Sequence, residues 1–261
     1  MPAEPRLTVA ISTLGGRAGR IALPPPDPAV TYLILLQRPG EAPALPPRPD
    51  MAVRPLAAVG LSASRNAALT LAETPFLLFG DDDVALDMSG VKRLLARLEA
   101  APELAIVTGR RAGEVPRRAA ARARPLRLWN AARTATPEIM VRVAPLRARG
   151  IGFDAKFGLG GRYPLGEEYV FLADALRAGL RGRYLPVTVG RHDGPSTGAD
   201  WRDPALLAAR IAVMARVFGR AAPLARLVFA LRNGRRLRGA PGGVAGFVLG
   251  RCPDPAGGAG Q

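Results

Sequence analysis

The stretch Thr74-Pro-Phe-Leu-Leu-Phe-Gly-Asp-Asp-Asp-Val-Ala85 decides how the rest of the chain is read. Phe76 to Phe79 are four successive apolar residues without polar alternation, so the pattern predicts a strand buried on both faces of a parallel or mixed sheet. Gly80 lets the backbone turn, and Asp81, Asp82 and Asp83 then gather three carboxylates at the strand's carboxyl edge, where open α/β sheets bind ligands. Adjacent acids repel, and a hard divalent cation that bridges to phosphate oxygens relieves them. A solvated turn is the competing explanation, because Asp favours turns by itself.

Toward the N-terminus, Leu7 to Ser12 and Thr31 to Gln37 read as further strands, separated by a glycine turn, Gly15-Gly-Arg-Ala-Gly19. The Pro-dense segment Pro39 to Pro55 is expected to be a surface loop without regular structure. A helix is expected from Leu61, capped by Ser62 or Ser64, with Arg65 and Asn66 in its first turn, where free N–H groups favour an anion.

Toward the C-terminus, Ser89 is expected to cap a helix that buries Val91, Leu94, Leu95 and Leu98, and Leu104 to Thr108 returns as a strand. The basic, Pro-broken stretch Arg110 to Arg133, with Trp129 inside it, reads as solvated surface in preference to a flap over a phosphorylated ligand. Glu138 to Val143 is a strand candidate, and the segment Gly150 to Gly161 needs five glycines, a sign that backbone there approaches something closely. Gly166-Glu167-Glu168 opens a helix that Gly179 ends; two acids in a first turn suit the helix dipole, so capping competes with chemistry. Arg183 to Val189 is a strand leading to His192, the single histidine, followed by Ser196-Thr197-Gly198 and Trp201.

Beyond Asp203 the pattern turns helical, with stripes at Leu207, Ile211, Met214 and Phe218, and at Leu224, Leu227, Val228 and Leu231. Arginines surround both stripes. The default is that these helices close over the sheet; the alternative is that Arg210, Arg216, Arg220, Arg226 and Arg232 meet anionic lipid. The Gly- and Pro-rich tail from Ala240 is expected to fray.

With 261 residues the chain can bury one large core with a small appendage. Net charge is +16, which favours acidic ligands over basic ones. One cysteine, Cys252, excludes an internal disulfide and a thiolate metal cage and fits a reducing compartment. No apolar run approaches the ~20 residues of a span, and the N-terminus lacks the order of a secretory signal, so the expected location is cytoplasmic, with peripheral contact at the inner membrane surface.

Several of these pieces occur together in one family. Gly60-Leu-Ser-Ala-Ser-Arg65-Asn66-Ala67, the Asp81-Asp82-Asp83 turn, Phe153-Asp154 with Phe157-Gly158, Gly166-Glu167-Glu168 with Phe171, and then His192 resemble, in that order, the family 2 glycosyltransferases of GT-A fold. The resemblance implies an α/β fold, a GT-A-like Rossmann-type mixed sheet flanked by helices over residues 1–200, with a C-terminal helical extension and flexible tail over 201–261. It also implies transfer of a sugar from a nucleotide-sugar donor to a glycan or lipid-linked acceptor hydroxyl, with inversion, and a divalent cation, Mn²⁺ or Mg²⁺. Matched residue by residue, Glu168 corresponds to the catalytic base with Glu167 beside it. Thr13, Arg65, Asn66, Asp81 and Asp82 fall on the nucleotide sugar, and Asp81, Asp83 and His192 on the metal. The position after the second strand, where family members often read the base with Asp, holds Gln37-Arg38-Pro39-Gly40, so the base stays open.

Two other readings compete. A nucleotidyltransferase also uses Asp-bound metal on such a sheet but would more typically show a basic glycine-rich phosphate loop after the first strand. A non-catalytic protein that binds RNA or anionic membrane explains the charge but leaves both acidic clusters without a role, and no aromatic-basic interleaving supports a nucleic-acid partner.

Overall fold

Strand β4 (Phe76–Asp81) lies inside a nine-stranded mixed sheet, flanked on one side by the parallel strand β1 (Leu7–Leu14) and on the other by the antiparallel strand β8 (Ile139–Arg142). The computed structural model describes residues 4–112, 121–192, 198 and 200–251, and the statements that follow concern those residues. Cys252, Ser196, Thr197, part of the basic stretch and the end of the tail lie outside them.

From one edge the order runs β3 (Met51–Leu56), β2 (Val30–Gln37), β1, β4, β8, β6 (Leu104–Arg111), β9 (Arg181–His192) and β5 (Val84–Leu86); the two-residue β7 (Arg124–Pro125) pairs with β9. The first four are mutually parallel, so their carboxyl ends share one edge. The uninterrupted apolar run in β4 has the expected cause. Leu77 and Phe79 enter the core on one face, with helices α1 (Leu61–Leu71) and α5 (Glu167–Arg177), while Phe76 and Leu78 enter the core on the other, with α2 (Met88–Glu99).

Three local expectations are corrected. Residues 51–56 are an edge strand and not loop; Pro55 is tolerated because an edge strand leaves one side of its ladder unpaired. Helix α1 has no side-chain cap: Ser62 Oγ donates to Phe157 O at 2.6 Å and Ser64 Oγ pairs with Ser12 Oγ at 2.8 Å, so both serines tie the helix to its neighbours. Helix α2 is capped by Asp87, which accepts from the Ser89 and Gly90 amides, because the carboxylate one residue ahead of the helix reaches both free donors.

After β9 come α6 (Pro204–Phe218), α7 (Ala222–Leu237) and α8 (Gly243–Leu249). Val213 and Val217 of α6 join the core beneath α5, and Leu207, Ile211, Ala230, Leu237 and Phe247 form a separate small core among the three helices. Gly166 makes the α5–α6 approach possible. Its φ is 90°, and a Cβ there would stand 2.4 Å from Val213 Cγ2.

Candidate active site

The acidic turn sits between two pairings. On one side Ser12 of β1 stands opposite Asp81, and Thr13 Oγ1 donates to Asp82 Oδ2 at 2.8 Å. On the other side β5 runs antiparallel to β9 with Val84 opposite His192, which brings His192 Nε2 within 3.4 Å of Asp83 Oδ2. Arg17, in the 3₁₀ turn Gly15–Arg20, clamps the middle: its Nε donates to Asp82 Oδ1 at 3.0 Å and its Nη2 to Asp83 Oδ2 at 2.8 Å. These bonds, Asp82's first, raise the proton affinity of Arg17.

The third acid, Asp81, belongs to a different group. Arg65 is buried in the second turn of α1, under the Phe153 ring at 5.7 Å, and donates from Nη2 to Asp81 Oδ1 at 3.1 Å and from Nη1 to Glu167 Oε1. Burial opposes the charge on Arg65, but the Asp81 and Glu167 carboxylates outweigh it and raise its proton affinity. Burial likewise lifts Asp81 above the usual carboxylate range, against the pull of Arg65. Phe153 in turn stacks on Phe171 of α5 at 4.3 Å and meets Phe79 edge-on at 5.2 Å, so an aromatic layer supports the charged one.

Glu168 stands beside this group, half-buried at the start of α5. Burial, and then the charge of Glu167, push its carboxyl well above the ordinary range. A carboxylate with raised proton affinity in a partly desolvated site is suited to take a proton near neutral pH.

Both acidic clusters open on one cleft of about 870 Å³, whose lining includes Thr13, Arg17, Asp81, Asp83, Glu168 and His192. The far wall comes from the C-terminal helices and the segment before them, through Trp201, Arg210, Met214 and Phe229. A smaller hollow of about 200 Å³, around Pro102, Arg149 and Arg181, contains none of these groups.

Of the residues expected on the nucleotide sugar, Thr13, Arg65, Asp81 and Asp82 line the cleft. Asn66 is corrected. Its amide closes two hydrogen bonds with the Phe153 backbone, at 2.7 and 2.9 Å, and so positions the glycine-rich loop. That loop makes the close approach its glycines suggested, and the structure shows the partner to be the start of α1: Leu61 N donates to Leu159 O at 2.9 Å, and a Cβ on Gly160 would lie 2.8 Å from Gly60 Cα. The expected metal set is also rearranged, because Asp83 and His192 converge while Asp81 is held by Arg65. Among the described residues no three His, Cys, Asp or Glu side chains are arranged to hold a metal. Arg17 escaped the sequence reading. The glycine turn marked its neighbourhood, but nothing in the pattern separated it from the other surface arginines.

Residues 48–154 match the model of glycosyl transferase family 2. Over those residues the chain is similar to that family. Solved structures agree on the GT-A fold. S. aureus TarS 1–349 in complex with UDP-GlcNAc is similar at 15% identity and a TM-score of 0.57, over 94% of this chain and 75% of that one. The mannosyltransferase PcManGT of Pyrobaculum calidifontis, in complex with GDP-Man and Mn²⁺, is similar at 13% identity and a TM-score of 0.52, over 95% and 69%. No curated protein sequence matches. The family match contains Arg65, the acidic turn and Phe153, and it ends before Glu167, Glu168 and His192, which join the cleft through the fold.

Proposed function

We propose that this glycosyltransferase moves a glycosyl group from a nucleotide-sugar donor to a glycan or lipid-linked acceptor hydroxyl in a single inverting displacement. The observation that carries the reading is that Glu168, with its raised proton affinity, faces the same cleft as the acidic turn. The acceptor O–H attacks the anomeric carbon, and the bond from that carbon to the diphosphate oxygen breaks. The acceptor proton passes to Glu168, and the nucleoside diphosphate leaves with the electron pair. Arg65 keeps Asp81 and Glu167 paired, so Glu168 is the carboxylate of this group left to move a proton.

A divalent cation, of the kind found in PcManGT, fits one part of this site. Asp83 and His192 offer a carboxylate oxygen and an imidazole nitrogen 3.4 Å apart, and because Asp83 Oδ2 also accepts from Arg17 Nη2, they would hold an ion in place of that bond. Such an ion, when bound, would neutralise charge on the departing diphosphate.

The test compares Glu168→Gln with Glu167→Gln in turnover, donor binding and melting temperature. Loss of the base should lower turnover by ~10²–10⁴-fold with donor binding retained. Glu167→Gln should act mainly on stability, through Arg65. Near-wild-type turnover in Glu168→Gln would remove Glu168 from the mechanism.

A further inference from the structure

Helix α7 presents its apolar stripe outward. Leu224, Leu227, Val228 and Leu231, at the i, i+3, i+4, i+7 spacing of one helix face, are all exposed, Leu224 to 64% and Leu231 to 78%. The opposite face of the same helix, through Ala222, Arg226, Ala230 and Leu237, is the one that packs. Soluble surfaces tolerate scattered leucines, but four on one stripe of one helix mark an interaction face.

The arginines expected to meet lipid divide into two groups. Arg210 is buried, donating to Gly198 O at 2.6 Å and lying 4.3 Å over Trp201; Arg226 is buried and donates to Val248 O at 3.0 Å; Arg216 pairs with Asp174 at 2.7 Å. These three are structural. Arg220, ahead of the stripe, and Arg232, Arg235 and Arg238, after it, are exposed. From residue 204 to 251 the chain contains nine Arg and no Asp or Glu.

We infer that the outer face of α7 is a docking surface for an anionic lipid bilayer. A bilayer supplies both chemistries in the required order, an apolar layer for the leucines and, above it, phosphates that arginine side chains reach by extending along the surface. A second copy of the chain fits poorly, since pairing this face with itself brings arginines together with no acid from the same segment to balance them. Phe229, on the same helix, lines the cleft, so the bilayer would lie about one helix diameter, ~10 Å, from the active-site wall. The inference rests on this surface and not on the proposed reaction.

The experiment is sedimentation of the full chain with vesicles of phosphatidylcholine alone or with phosphatidylglycerol added, at low and high salt. Association with the anionic vesicles is expected, weakening as salt screens the arginines. The exposed double substitution Leu227→Asp/Leu231→Asp should reduce it at least ~10-fold without lowering the melting temperature. Arg232→Ser/Arg235→Ser should reduce it by about fivefold per arginine. The inference is overturned if the chain ignores anionic vesicles at low salt or binds both vesicle types equally. Undiminished binding of the Asp variant also overturns it, as does light scattering that shows a dimer which this variant splits, since the stripe would then be a contact between copies.

Discussion

Arg65→Met tests whether the charged layer beneath the cleft is organised as described. The substitution keeps an extended apolar stem under Phe153 and removes the guanidinium that joins Asp81 to Glu167. The Arg65 side chain is 3% exposed and that of Glu167 8%, so Glu167 would be left as a buried charge without its partner. Asp81, at 27%, reaches water and carries a smaller share. Removing one member of a buried ion pair costs ~3–5 kcal/mol. In a chain of this length each kcal/mol moves the melting temperature ~2–4 °C, so a fall of ~6–20 °C is expected by circular dichroism. The pH dependence has a definite sign. A carboxyl whose folded proton affinity is raised, as burial raises Asp81, contributes stability in acid that is lost as pH rises through its folded value. Loss of Arg65 raises Asp81 further, so the deficit should widen from acid to neutral pH. A variant melting within ~2 °C of wild type at neutral pH would refute the reasoning. So would a deficit of equal size in acid and at neutral pH, which would assign the loss to packing against Phe153.

Asp83→Asn should weaken Mn²⁺-dependent binding of nucleoside diphosphate in calorimetry while the protein stays folded; unchanged binding removes Asp83 from the metal. The raised Glu168 carboxyl should give turnover an acid limb above the usual carboxylate range, and Glu167→Gln should move that limb to lower pH by removing the like charge, as a pH–rate profile reads directly. Gly166→Val should destabilise by several kcal/mol, because a side chain there adopts a positive φ and meets Val213, and thermal unfolding measures the loss. Arg17→Ala should leave Asp82 buried on Thr13 alone and lower stability by ~1–3 kcal/mol, measured by chemical denaturation.

The parts of this structure that were legible in the sequence are those governed by local pattern. The unbroken run Phe76–Phe79 announced a strand with cores on both faces, and the three acids after Gly80 marked the edge on which the cleft opens. The roles of individual polar residues depended on contacts 16 to 102 residues apart, which no local pattern encodes. Arg65 and Asn66 read as one anion-binding pair, yet one faces Glu167 and Asp81 and the other a loop backbone. Ser62 and Ser64 had the chemistry of caps and were recruited by Phe157 and Ser12. Pro55 misled because proline excludes a central strand but not an edge strand, and edge position is a property of the finished sheet.

The pairing of Val84 with His192 has a consequence for how the protein is made. The parallel half of the sheet, β3-β2-β1-β4, is encoded entirely within residues 7–81, so on a ribosome it can assemble while more than half of the chain is still unsynthesised. Asp83 follows almost at once, but its imidazole neighbour emerges 108 residues after Val84, from 84 to 192. A nascent chain therefore presents the acidic turn long before its histidine neighbour is made, and truncations ending between α5 and β9 should keep the elements that cover β4 yet lack the His192 arm of the site.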